Sequence, residues 1–179
     1  MKKLLIIVFS VLIAGNTFGQ KAKIESLPNQ PYDKYELKTS KSTLTFYLSV
    51  NKQKENLPLV IYIQGSGWNS LFNERNGKII PTSGHSIWAD VGKENYRILI
   101  VEKTGVNYLQ TEETKAFQEN FSLESQSNSI VDAINYVLEN EKIDKTKILV
   151  AGHSEGGIVA ARVASLMKDQ VSNVVIMAG

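Results

Sequence analysis

Between the apolar run Ile148-Leu149-Val150-Ala151 and a helical pattern of apolar residues, the chain reads Gly152-His153-Ser154-Glu155-Gly156. No other stretch narrows the possible folds as much. A serine hydroxyl can be held clear of its own backbone on a sharp strand-to-helix turn only if the residues two positions away lack side chains, as Gly152 and Gly156 do. The turn places Ser154 at a helix N-terminus, where unpaired N–H groups and the helix dipole favour developing negative charge. Ile158, Val159, Ala161, Arg162, Val163, Ala164, Leu166 and Met167 continue with helical rather than alternating spacing. The segment reads as a nucleophile elbow with Ser154 as the attacking group, and the N–H of Glu155 is one candidate oxyanion donor.

The N-terminus carries a different signal. Met1-Lys2-Lys3 precedes the apolar segment Leu4 to Ala14, which ends in Gly15-Asn16-Thr17-Phe18-Gly19-Gln20. A basic start, a short apolar core and small residues at the end describe a secretory signal peptide. This segment of eleven residues falls well short of the ~20 a membrane-spanning helix needs. Residues 1–19 are therefore expected to be cleaved, giving an exported, periplasmic or secreted protein with no stable membrane anchor. Losing Lys2 and Lys3 takes the formal net charge from +2 to zero, so nothing points to nucleic acid or an anionic membrane surface as partner. The chain has no cysteine, which removes disulfides, thiolate metal sites and a cysteine nucleophile. A chain of this size forms one domain.

Residues 20–34, polar and punctuated by Pro28 and Pro31, read as a mobile lead-in, with the domain proper at 35–179. Tyr35 to Thr39 and Thr43 to Val50 read as an antiparallel strand pair, Leu44, Phe46 and Leu48 alternating with Thr43, Thr45 and Tyr47. Leu59 to Ile63, Arg97 to Val101, Ile148 to Ala151 and Asn173 to Met177 are short apolar runs of the kind buried in a parallel sheet. Residues 69–84 read as a surface loop, Ser86 to Lys93 as a short helix and Thr104 to Asn120 as loop. In Ser122 to Asn140, Leu123, Ile130, Val131, Ile134, Val137 and Leu138 share one helical face. Strands alternating with helices imply parallel βαβ units.

The motifs Val60-Ile61-Tyr62-Ile63-Gln64-Gly65-Ser66-Gly67, Ile100-Val101-Glu102-Lys103-Thr104-Gly105-Val106-Asn107, Gly152 to Gly157 and Val174-Val175-Ile176-Met177-Ala178-Gly179 together resemble the α/β-hydrolase superfamily. They look closest to exported serine aminopeptidase-like and dienelactone-hydrolase-like members. The resemblance implies an α/β fold whose mostly parallel sheet carries antiparallel N-terminal strands and lacks the last strands of the family. It also implies a serine hydrolase acting on an ester, or an amide or peptide bond, through an acyl-enzyme on Ser154. The family's first oxyanion loop usually begins His-Gly and here begins Gln64-Gly65. The donor is a main-chain N–H, so Ser66 is its expected source with Gly67 next to it. Trp68 and Tyr108 are candidate substrate-binding aromatics, with packing as their alternative role.

In this superfamily the acid and the histidine base follow the serine. Here no histidine follows Ser154, and the only later carboxylates are Glu155 and Asp169. His153 adjoins the serine but points elsewhere in such a turn, and His85 reads as a capping or surface residue. The expectation is a chain truncated at its C-terminus, inactive or nearly so as it stands, with Asn173 to Met177 as an unprotected apolar edge. A non-catalytic α/β-hydrolase-like binding protein is the alternative. A nucleotide site lacks its fingerprint, and two separated histidines form no zinc motif, so neither cofactor nor metal is expected. N-terminal sequencing of exported protein should begin near Gln20; intact Met1 in an integral membrane fraction would contradict the cleavage.

Overall fold

The apolar runs Leu59 to Ile63, Arg97 to Val101 and Ile148 to Ala151 lie where both faces of a sheet are covered, whereas Asn173 to Met177, expected to be of the same kind, is largely exposed at the edge. In the computed structural model, which describes residues 21–39, 42–51, 54–92 and 94–177, β1 (Lys23–Ser26), β2 (Tyr32–Lys38), β3 (Thr43–Ser49), β4 (Leu57–Ile63), β7 (Arg97–Val101), β8 (Ile143–His153) and β9 (Asn173–Met177) form a seven-stranded sheet. Its spatial order is β1-β2-β3-β7-β4-β8-β9. β7, β4, β8 and β9 run parallel, and β1, β2 and β3 add on antiparallel. This is the expected α/β-hydrolase arrangement. Residues 1–20, which include the candidate signal peptide, lie outside the described residues. Among the described residues no helix is long and apolar enough to cross a membrane.

Alternation along each strand splits the core into two layers. Leu59, Ile61 and Ile63 of β4, Leu99 of β7 and Ile148 and Val150 of β8 face α3 (Leu123–Asn140) and α4 (Glu155–Leu166). Val60, Tyr62, Ile98 and Ile100 face the side of α1 (His85–Gly92), where Tyr32, Tyr47, Leu71 and Phe72 join them. α3 starts where Ser122 accepts a hydrogen bond from the Ser125 N–H at 3.1 Å, a side-chain cap for an orphan backbone donor. Its buried face comprises Gln126, Ser127, Ile130, Ala133, Ile134, Tyr136 and Val137. Leu123, assigned to that face from spacing, is 45% exposed because it sits at the open first turn.

Several sequence expectations need correcting. The segment read as a mobile lead-in contributes β1, paired with β2 from Lys23↔Glu36 to Ser26↔Asp33, and the start of β2 itself. Leu27 and Tyr32 are buried, so this segment is part of the domain despite its polar composition. Residues 69–84 are not a surface loop: β5 (Phe72–Arg75) and β6 (Lys78–Pro81) form a hairpin whose base buries Ser70, Leu71 and Phe72. Its turn has Asn76 at φ 52° and Gly77 at φ 70°, the left-handed pair that an Asn-Gly dipeptide accommodates. α2 (Lys115–Asn120) occupies part of the expected loop and buries only Phe117, too little to leave a period in the sequence.

β9 is the last strand of the sheet on its side, with Val174, Val175 and Ile176 at 41%, 36% and 62% exposure. By contrast Ile61 in β4 is wholly buried. Ile61→Ala should cost about 2–5 kcal/mol in urea denaturation, whereas Ile176→Ser should stay within about 0.5 kcal/mol of the parent and reduce self-association in sedimentation. Equal losses at the two positions would contradict this account of where the core lies.

Candidate active site

Ser154 is the residue between β8 and α4, and its backbone adopts φ 53°, ψ −123°, a conformation that side chains other than hydrogen rarely tolerate. Its N–H donates to the Met177 carbonyl at 2.9 Å, and its carbonyl accepts from the Gly157 N–H at 2.9 Å, which clamps both sides of the turn. A Cβ on Gly152 would lie 2.0 Å from the Gly156 carbonyl oxygen, and one on Gly156 would lie 2.5 Å from the carbonyl oxygens of Ile63 and Gln64. Both glycines are therefore required by direct backbone approach: one closes the turn and the other seats α4 against the end of β4.

The same approach brings the loop after β4 to the serine. A Cβ on Gly65 would meet Ser154 Cβ at 3.2 Å and His153 Nδ1 at 3.3 Å. Ser66 and Gly67 line an open cavity of about 410 Å3 together with His153 and Ser154. Its other walls are Tyr62, Gln64, Asn69, Thr82, Ser83 and Gly84. Thr82 and Ser83, which sequence reasoning passed over, come from the end of the β5–β6 hairpin; the Asn76-Gly77 turn was the signal that could have placed them. Trp68 is 41% exposed, and neither it nor Tyr108 is among the residues lining this cavity. Tyr108 instead packs 6.3 Å from the Tyr47 ring, with Lys34 Nζ 4.5 Å over its face.

His153 lines the serine cavity beside Ser154, whereas His85 is engaged elsewhere. His85 is wholly buried, not the surface or capping residue expected from sequence. Its Nε2 lies 3.0 Å from the Leu71 carbonyl and its Nδ1 3.1 Å from Tyr32 Oη. A carbonyl only accepts, so Nε2 carries the proton and Nδ1 accepts from the tyrosine, leaving a neutral ring with both nitrogens engaged. Burial lowers its pKa to about 4. Asp169 is exposed beyond the far end of α4 from Ser154. Glu155 pairs with the buried Lys103 at 3.2 Å, tying the first residue of α4 to the chain that leaves β7.

Beside His85, the Glu102 carboxylate accepts from Tyr47 Oη at 2.7 Å, from Ser70 Oγ at 2.5 Å and from the Leu71 N–H at 3.1 Å. The Leu71 peptide is thus gripped at its N–H by Glu102 and at its carbonyl by His85. Together they fix the start of the segment that walls the serine cavity. Burial pushes the Glu102 carboxyl up to about 7.

Comparison with known proteins identifies a family and a fold. The family model for lipid-droplet associated hydrolase matches residues 71–179, more than half of the chain, including Ser154 but not the loop at 64–67. No curated protein matches significantly. Among solved structures, Est1E from Butyrivibrio proteoclasticus superposes with TM-score 0.55 at 19% identity, over 79% of this chain and 49% of that one. A putative acetyl xylan esterase from Bacteroides fragilis gives 0.62 at 17%, over 86% and 46%. The carboxylesterase EstE1, cloned from a metagenomic library, gives 0.58 at 17%, over 85% and 48%. The likeness shows the α/β-hydrolase fold, and the chain spans about half the length of these structures.

The two buried titrating groups have opposite effects on stability. Glu102 holds its proton to about pH 7 when folded, against an ordinary value of 4.5, so the folded state binds more protons between those limits and stability falls as pH rises. His85 stays neutral down to about pH 4 against an ordinary 6.5. The unfolded state therefore binds more protons there, and stability rises with pH. Urea denaturation from pH 4 to 7 should show these slopes opposing each other in the parent. Glu102→Gln should leave a net rise with pH and His85→Gln a net fall; profiles parallel to the parent in both variants would contradict the assignment.

Proposed function

The chain belongs to the lipid-droplet associated hydrolase family, and from that premise we propose that it is a serine hydrolase that cleaves a small carboxylic ester through an acyl-enzyme on Ser154. The observation that carries this reading is the backbone of Ser154, held at φ 53° in a glycine-flanked turn and facing an open cavity. Strain of this kind persists where the surrounding structure enforces it, and such sites cluster at functional positions. Ser154 Oγ attacks the acyl carbon as its proton passes to a base. The alkoxide oxygen that develops accepts from the backbone N–H groups of Glu155 and Ser66, and the alcohol leaves. Water then releases the acid. Each such donor contributes about 3–4 kcal/mol of transition-state stabilisation.

Esters are favoured over amides and peptides because the structural neighbours described above include a carboxylesterase and an acetyl xylan esterase. The proposal includes export through residues 1–19 and the finer likeness to serine aminopeptidase-like and dienelactone-hydrolase-like enzymes. A serine hydroxyl needs a base to react at neutral pH. Among the two histidines of the sequence, His85 is committed to Tyr32 and Leu71, and His153 precedes the serine in the turn. In this proposal the base and its carboxylate partner are supplied from outside residues 1–179, and these residues alone turn over slowly.

Soluble, folded 179-residue chain should label weakly with a fluorophosphonate probe, and Ser154→Ala should abolish the labelling that remains. Added imidazole should raise Ser154-dependent hydrolysis of p-nitrophenyl acetate by supplying the base. Strong labelling lost in His153→Ala would assign the base to His153 and contradict the proposed outside base. Labelling unaffected by Ser154→Ala would overturn the nucleophile.

A further inference from the structure

The cavity in front of Ser154 has walls of one chemical kind. Its side chains are hydroxyl, amide, phenol and imidazole groups, interrupted by Gly65, Gly67 and Gly84. Among the described residues no Val, Leu, Ile, Met, Asp, Glu, Lys or Arg lines it. An apolar wall rewards each methylene added to a ligand about fourfold in affinity, and these walls offer a long acyl chain no such surface. Nor do they hold a fixed charge to pair with a charged substrate.

The polar groups that reach the open space are also unspent. Ser66, Asn69 and Thr82 are exposed and line the cavity, and neither Ser66 Oγ nor the Asn69 amide is hydrogen-bonded to another described residue. Thr82 Oγ1 donates to the Ser70 carbonyl at 2.5 Å, so towards a ligand its oxygen only accepts. Ser70 in turn donates through its hydroxyl to Glu102, which puts Thr82 and Asn69, the neighbour of Ser70, on one anchored wall. An amide both donates and accepts. A carboxylate ligand could not donate to Thr82, and an ammonium could not accept from Asn69. A hydroxyl does both.

We propose that the substrate is a short-chain ester of a small neutral polyol, with the acyl carbon at Ser154 and the free hydroxyls of the alcohol on Asn69 and Thr82. The inference rests on the reading of Ser154 as an ester nucleophile and names the alcohol that this site takes. The acyl group passes from the polyol oxygen to Ser154 Oγ, the polyol leaves with the serine's proton, and water then releases the acyl group as the acid.

NMR titration of the folded, 15N-labelled chain carrying Ser154→Ala, in which the ester stays intact, tests it. Glycerol 1-acetate or an acetylated methyl xyloside should give saturable shifts at the Asn69 and Thr82 amides and bind at least fivefold tighter than butyl acetate, which has the same acyl group and no hydroxyl. Whichever binds tells glycerol from sugar. Asn69→Leu should erase that preference while leaving butyl acetate within twofold, and Thr82→Val should do the same if Asn69→Leu fails to fold. Glycerol 1-hexanoate should bind within threefold of the acetate. Butyl acetate binding as tightly as both polyol esters, a preference that survives in both variants, or a hexanoate tenfold or more tighter than the acetate would overturn the proposal. The two readings fail separately, because fluorophosphonate labelling reports the nucleophile and these titrations report the alcohol.

Discussion

The close approach of backbone to backbone around Gly152 and Gly156 is the constraint on which the rest of the site depends. With the Gly156 carbonyl 2.0 Å from where a Cβ of residue 152 would sit, the chain can leave β8 and enter α4 in a single residue. That residue is Ser154, and it takes the positive φ that the turn demands. The same compactness lets α4 pack against the carbonyl ends of β4 and brings Gly65 against Ser154 Cβ. A side chain at either glycine would meet backbone at 2.0–2.5 Å and force the turn or the loop that faces it to shift.

The central strands and the turn were legible in the sequence because their physical causes are local. Leu59 to Ile63 and Arg97 to Val101 are buried on both faces and so read as unbroken apolar runs, and the glycines around Ser154 announce a backbone that no other residue fits. What the sequence concealed depends on distant partners. β1 is exposed along its whole length, and its place comes from pairing with β2 and from ion pairs such as Lys34 with Glu25 at 3.2 Å. The β5–β6 hairpin was visible only in Asn76-Gly77, and its Phe72 packs on Tyr32 and Tyr47, both far away in the chain.

His85 and Glu102 show why titratable residues mislead when read one at a time. One reads from sequence as a capping or surface histidine, and the other is given no role of its own. Each is buried by the other's neighbourhood, and they meet across the Leu71 peptide. Their shared role is to hold the wall of the serine cavity in place, which makes them positioning residues. Lys103 and Glu155 do comparable work on the opposite side of the turn. The consecutive residues Glu102 and Lys103 thus anchor two different segments, the start of the hairpin wall and the first residue of α4.

The central claim is that the fold forces Ser154 into a conformation that only glycine adopts without strain. Ser154→Gly and Ser154→Ala both remove the hydroxyl, but only glycine relieves a positive φ, and strain of this kind is worth about 1–3 kcal/mol. Comparing the two variants by urea denaturation isolates that term. The account predicts that Ser154→Gly is the more stable by roughly 1–3 kcal/mol, despite the entropy glycine loses on folding. An alanine variant as stable as the glycine variant, or more so, would mean that the turn is relaxed, and the claim would fail.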